Sequence, residues 1–371
     1  MRIMRLLSSL HHDEAERGIF HLTRALLKQG HACLIVSSAN HDNDLVERLV
    51  RDGCDYRQLP IQKKSWISLF QVLPLYWLIK RYRPDIIHVH SRTPAFVLQW
   101  ALKLLSPADR PKTVATIYGF YKPTPYAKPI LAANHLITVS DSVTAHLNAH
   151  YTQLAPEQMS RIYRGVNTQQ FIYRHHPSVF WVRRIFAEFK ELEHKKWLLF
   201  PTTIGEDKGQ EWLFDIVGNL RSEFPNIHVI IMDDDSNVSL YYEEFVQRMR
   251  ALDLDRYFTF IGKREDLREW LSASNLVLGL ANLPESIGMT VLQALHLGTP
   301  AVGWNKGAYH EILKQVYPQG LVKQNNALAL CKAVKSHLQN VFRPAISNEF
   351  TLKQTINETI ALYKKLTSEG K

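Results

Sequence analysis

Cysteine is scarce in this chain. Three residues of 371, Cys33, Cys54 and Cys331, lie far apart, with no C-x-x-C pair and no histidine at ligand spacing. A disulfide framework and a structural zinc site are thereby excluded, and the expected setting is reducing and cytosolic. Long apolar runs are also missing. The longest, Trp66 to Ile79, contains Pro74 and falls short of the roughly 20 residues that a membrane span needs. The opening MRIMRLLSSL begins like a signal peptide but runs into His11, His12, Asp13 and Glu14 with no small-residue cleavage site, so it reads as a first buried strand. No low-complexity tract and no nucleic-acid-binding motif occurs, and nucleic acid is not an expected partner.

With 46% hydrophobic and 22% charged residues, the chain can bury a core. Its length is too great for one core, so two domains are expected. The formal net charge of +10 is uneven: residues 1–180 hold 22 Lys/Arg against 12 Asp/Glu, and residues 181–371 hold 23 against 23. The first half therefore faces an anionic partner or carries a solvated basic surface. Trp66 to Arg83 has apolar residues at helical spacing, with Lys63 and Lys64 before it and Lys80, Arg81 and Arg83 at its end. Such a helix suits either peripheral contact with an anionic membrane or the protein core.

Runs rich in Ile, Val and Leu alternate with helical stretches: RIMRLLSS, ACLIVSS from Ala32, DIIHVHS from Asp85, TVATIYG from Thr113 and HLITVSD from His135. A second series follows a polar stretch near Tyr173: KWLLFPTT from Lys196, IHVIIMD from Ile227, FTFIG from Phe258, NLVLGLA from Asn275 and PAVGWN from Pro300. This alternation is the pattern of parallel strands joined by crossover helices. The expected organisation is α/β: two Rossmann-like, doubly wound domains over residues 1–172 and 173–345, and a closing helix in 346–371 that packs back on the first domain. In such sheets ligands bind beyond the carboxyl ends of the strands, so a site in a cleft between the domains is expected.

The segment PESIGMTVLQALHLGT from Pro284 carries the most chemistry. A strand leads into a loop with Glu285 and Gly288, then into a helix whose first turn holds Met289 and Thr290. Free amides at a helix start can hold phosphate oxygens, and glycine permits close approach. Glu285 can accept from sugar hydroxyls, or can merely favour the helix start.

From Glu285 to Gln293 this segment resembles the E-x7-E signature of the retaining family 4 glycosyltransferases, which have the GT-B fold. GTPAVGWNKGAYHEIL from Gly298 to Leu313 and IYRGVN from Ile162, followed by Phe171, resemble further stretches of that family. RPDIIHVHSRTPA from Arg83 resembles its members in lipopolysaccharide and envelope-glycan assembly. The resemblance implies a nucleotide-sugar donor on the second domain and a glycan or lipid-linked acceptor at the first, with no metal or other cofactor. It implies that Lys208, in GEDKGQEWL, faces the diphosphate and that Glu285 contacts the donor sugar. It further implies a donor-binding set of Ile287, Gly288, Met289, Thr290, Gln293, Thr203, Tyr118 and Arg164, and an acceptor side of Glu16, Arg17 and Arg92. Retention is explained in such enzymes by front-face attack without an enzymic nucleophile, the protein placing the reactants and stabilising charge on the departing diphosphate.

Four positions differ from the family pattern. Asp13 and Glu14 stand where two glycines are usual, Tyr118 replaces a histidine, Thr203 lies where an arginine is usual, and Gln293 replaces the second glutamate. Two readings follow: a glycosyltransferase with a modified site, working at the inner face of the cytoplasmic membrane, or a weakly active or inactive GT-B partner subunit of a glycan-assembly complex.

Overall fold

The computed structural model describes residues 1–9, 14–38, 43–61, 66–233, 239–345 and 347–368; for residues 14–16, 43, 66 and 67 the backbone alone is described. Thirteen strands form among the described residues: β1 Arg2–Leu6, β2 Ala32–Ser37, β3 Asp55–Gln58, β4 Ile86–Val89, β5 Lys112–Ile117, β6 His135–Thr138, β7 Met159–Arg161, β8 Lys196–Phe200, β9 Ile227–Ile231, β10 Phe258–Phe260, β11 Leu276–Gly279, β12 Ala301–Trp304 and β13 Leu321–Val322. Contacts divide the chain into two units. The first is Met1–Arg164 with Leu352–Lys371, and the second is Gly165–Thr351.

In the first unit the strands run β3-β2-β1-β4-β5-β6-β7, and in the second β10-β9-β8-β11-β12-β13. Neighbouring strands pair in parallel in both sheets. Both orders reverse direction once, between β1 and β4 and between β8 and β11. These are the topological switch points where an open α/β sheet binds ligands. Central strands such as β4 (IIHV) and β9 (IHVII) are buried along their whole length, which explains their near-continuous apolar sequence.

The helix Leu352–Ser368 belongs to the first unit, where Ile360, Leu362, Tyr363 and Leu366 join the core around Ile3, Leu22 and Cys33. Its Thr355 hydroxyl donates to the Tyr163 carbonyl at 2.7 Å. The segment expected to form one amphipathic helix is two, Trp66–Leu69 and Val72–Tyr82. All three cysteines are free and buried. No helix among the described residues is long and apolar enough to cross a membrane.

Candidate functional site

Two loops meet at the switch point of the second unit. The loop after β8 carries Lys208 and the loop after β11 carries Glu285. Between them lies a cavity of about 110 Å³ lined by Thr202, Lys208, Glu285, Gly288, Met289 and Thr290, with Tyr309 forming a wall. Glycines permit this convergence. Gly209 has φ +81°, and a Cβ there would stand 1.8 Å from the Leu280 carbonyl oxygen. Lys208 is thus followed by the one residue type that lets its loop lie against the end of β11. Asn282 fastens the two loops. Its amide N–H donates to the Asp207 carbonyl at 2.8 Å, its side-chain amide donates to Glu211 at 2.5 Å, and its side-chain carbonyl accepts from the Trp212 indole at 3.1 Å.

Gly288 caps the helix Met289–Leu297 in the left-handed region, φ 64°, and no side chain caps that end. The first-turn amides therefore lack an intrahelical acceptor and border the cavity beside the Lys208 ammonium. The Glu285 carboxylate has no hydrogen-bond partner among the described residues. Burial holds its pKa above the ordinary carboxylate range, an effect partly offset by Lys208. Burial, with Glu285 second, likewise pushes the Tyr309 hydroxyl up. The site joins a cation and helix dipoles suited to phosphate oxygens with a carboxylate suited to hydroxyls.

The other expected residues are distributed differently. Ile287 and Thr203 do not line this cavity. Gln293 is 1% exposed, and neither of its amide atoms has a hydrogen-bond partner among the described residues. Tyr118 and Arg164 lie in the first unit, where the Arg164 guanidinium sits over the Tyr118 ring at 5.6 Å. Arg92 starts the helix Arg92–Lys103, its guanidinium over the Tyr121 and Tyr126 rings at 5.0 and 4.7 Å. Arg17 stands on the helix Glu14–Lys28. Asp13 and the side chains of Glu14 and Glu16 lie outside the described residues.

Sequence reasoning missed Asn282, Tyr309 and Thr202. In the first unit, His88 on β4 is followed by His90 just beyond the strand's end. Both are buried: His88 bonds the Tyr363 hydroxyl at 2.5 Å and Thr116 at 2.8 Å, and His90 bonds Arg5 and Tyr118. A signal for Tyr309 was present in the glycines at 279 and 288, since Cβ atoms there would each press on its ring at 3.0–3.2 Å.

Two family models match in sequence order: Glycosyltransferase Family 4 over residues 15–170 and Glycosyl transferases group 1 over residues 182–349. N-acetyl-alpha-D-glucosaminyl L-malate synthase of Bacillus anthracis is 23% identical over 244 residues, covering 63% of this chain and 60% of that protein. The GPI3 subunit of phosphatidylinositol N-acetylglucosaminyltransferase from Saccharomyces cerevisiae is 21% identical over 377 residues, covering 95% of this chain and 80% of that one. Among solved structures, a glycosyltransferase from Rickettsia africae superposes with a TM-score of 0.82 at 19% identity, covering 98% of each chain. Anabaena Alr3699/HepE in complex with UDP-glucose superposes with a TM-score of 0.71 at 16% identity, covering 100% of this chain and 98% of that one. The chain belongs to the family 4 glycosyltransferases and has their GT-B fold of two Rossmann-like units.

Proposed function

We propose that the protein transfers a sugar, with retention, from a nucleotide-sugar donor to a lipid-linked or lipopolysaccharide-type glycan. The observation that carries this reading is the cavity at the β8/β11 switch point, where Lys208, the amides of Met289 and Thr290, and the unpartnered Glu285 carboxylate converge. Lys208 and the helix start meet the charge that develops on the departing diphosphate, and Glu285 holds the sugar through its hydroxyls. Glu285 is the one carboxylate among the described residues that line the cavity, which favours front-face attack over a mechanism needing a flanking carboxylate pair. The UDP-glucose bound to the Anabaena neighbour supports a uridine nucleotide as the first donor to test.

The acceptor class rests on one face of the first unit. Phe70, Leu73 and Trp77 are 75%, 59% and 64% exposed, while Leu75, Ile79 and Tyr82 point inward. The sequence left a core helix and a surface helix as alternatives, and the helix Val72–Tyr82 is apolar on both sides. It packs against the helix Arg92–Lys103, which exposes Trp100 beneath the Lys103 ammonium. Alongside runs an open groove of about 520 Å³ with Leu98, Leu102 and Ile130 in its walls and Lys103, Arg110 and Lys112 at its rim. Between Arg57 and Lys128 the sequence holds twelve Lys/Arg against two Asp/Glu, so the excess charge of the whole chain resides in this stretch. Exposed aromatics among cations fit an anionic bilayer surface, from which a lipid-borne acceptor is presented.

Incubation with UDP-sugars and GDP-sugars and a polyprenyl-diphosphate-linked sugar tests the reading, the product being resolved by NMR. An α-linked product from an α-linked donor is expected. An inverted product contradicts retention, and nucleotide binding without turnover favours the partner-subunit reading.

A further inference from the structure

The first unit holds a buried cation that the transfer mechanism leaves unused. Arg5, on β1 at the other switch point, is 1% exposed. Its Nη1 donates to the Ile19 carbonyl at 2.8 Å and to Thr23 at 2.9 Å, and its Nη2 lies 3.0 Å from His90 Nε2. Its Nε has no acceptor, and no carboxylate pairs with it among the described residues. A guanidinium cannot shed its proton, and an unpaired buried charge is costly. Arg5 lines a small cavity with Gly18, His88, His90, Tyr118 and Arg164, and no Asp or Glu lines it among the described residues. The cavity volume, about 20 Å³, admits one oxygen-sized atom.

Hydrogen-bond directions around His90 are fixed by this cation. Arginine only donates, so His90 Nε2 must accept, and the imidazole proton sits on Nδ1. Burial, with help from His88 and Arg5, holds His90 neutral, in agreement. His90 Nδ1–H then donates to the Tyr118 hydroxyl oxygen, 2.9 Å away. With its oxygen accepting from His90, the half-buried Tyr118 keeps its own O–H to donate at the cavity it lines. Arg5, His90 and Tyr118 thus form a directed chain that ends in a polarised donor beside a buried cation.

We infer that this pocket receives one anionic oxygen of a carboxylate or phosphate on a sugar substrate, bound by Tyr118 and favoured by the Arg5 charge behind it. The inference rests on the sugar-transfer reading and narrows it: donor or acceptor carries a negative group in addition to any diphosphate. Tyr118 binds that group, and Arg5 and His90 are positioning residues.

Calorimetric titration tests this in two arms. The donor arm compares UDP-glucuronate with UDP-glucose. The acceptor arm compares glucose 6-phosphate and methyl glucuronide with methyl glucoside. Wild-type protein is expected to prefer the anionic ligand by about tenfold or more in one arm. Tyr118→Phe, which keeps the ring, is expected to reduce that preference to about twofold or less while leaving the affinity for UDP alone unchanged. Arg5→Met is expected to do the same; where it does not fold, Tyr118→Phe carries the test alone. Equal binding of anionic and neutral ligands in both arms, or a preference that survives Tyr118→Phe, overturns the inference. UDP binding that persists in that event leaves the donor-site reading intact.

Discussion

At Glu285, burial and a nearby ammonium pull in opposite directions, and burial wins. Because its pKa is raised in the folded state, the native protein takes up this proton more readily than the unfolded chain. The associated stability is present at low pH and is lost as pH rises through the folded-state pKa. Glu285→Gln is therefore expected to melt higher than wild type at pH 7, with the gain shrinking towards about pH 4, and to lose turnover by about tenfold or more. Thermal melts at the two pH values and a transfer assay check both. A variant that melts lower at pH 7 contradicts the electrostatics. Glu285 and Lys208 were legible from their motifs because each sits in a loop whose glycine has to be there. Gln293 was legible as a position but not as an environment, since no pattern in the sequence shows that both halves of its amide are buried without partners.

Among the elements, the loop from Gly205 to Gly209 and the helix Val72–Tyr82 make the sharpest claims. Alanine at 209 must accept a left-handed φ and a Cβ 1.8 Å from a backbone oxygen, so Gly209→Ala is expected to cost about 1–3 kcal/mol or more. It is also expected to weaken UDP binding by displacing Lys208. Gly205→Ala, where the added carbon meets only Lys208 Cγ at 3.7 Å, serves as control. Denaturant melts and UDP titration of both variants measure this, and equal behaviour contradicts the proposed loop geometry. For the helix, Leu73→Asp and Trp77→Ala are expected to lower binding to phosphatidylglycerol-rich vesicles by about tenfold with no change in UDP affinity. Binding that ignores these substitutions, or that matches binding to pure phosphatidylcholine, contradicts the docking face. The helical spacing of Trp66 to Arg83 was readable, but the break at 70–71 and the identity of the outward stripe follow from packing against the helix Arg92–Lys103, a tertiary neighbour that periodicity does not reveal.

For the molecule as a whole, ten of the strands, the edge strand β10 among them, were visible as apolar runs, whereas β3, β7 and β13 were not. β3 (DYRQ) and β7 (MSR) are polar and largely accessible, and β13 has two residues. All three lie at or beside sheet edges, where one side needs no apolar cover and the pattern fades. The strand orders that set both switch points are read from the structure, but the parallel pairing followed from the strand and helix alternation. The Arg5–His90–Tyr118 chain did not, because it joins residues 85 and 28 positions apart through space. The central claim is that Lys208 and the start of the helix Met289–Leu297 hold a nucleoside diphosphate. Its most direct test is the binding of UDP and GDP to wild type and Lys208→Ala, read as thermal stabilisation. Wild type is expected to gain about 2.7 kcal/mol at about 100 times Kd with one of the two, and the variant is expected to bind about tenfold or more weakly. No stabilisation of wild type by either nucleotide, or equal stabilisation of both proteins, would contradict the account.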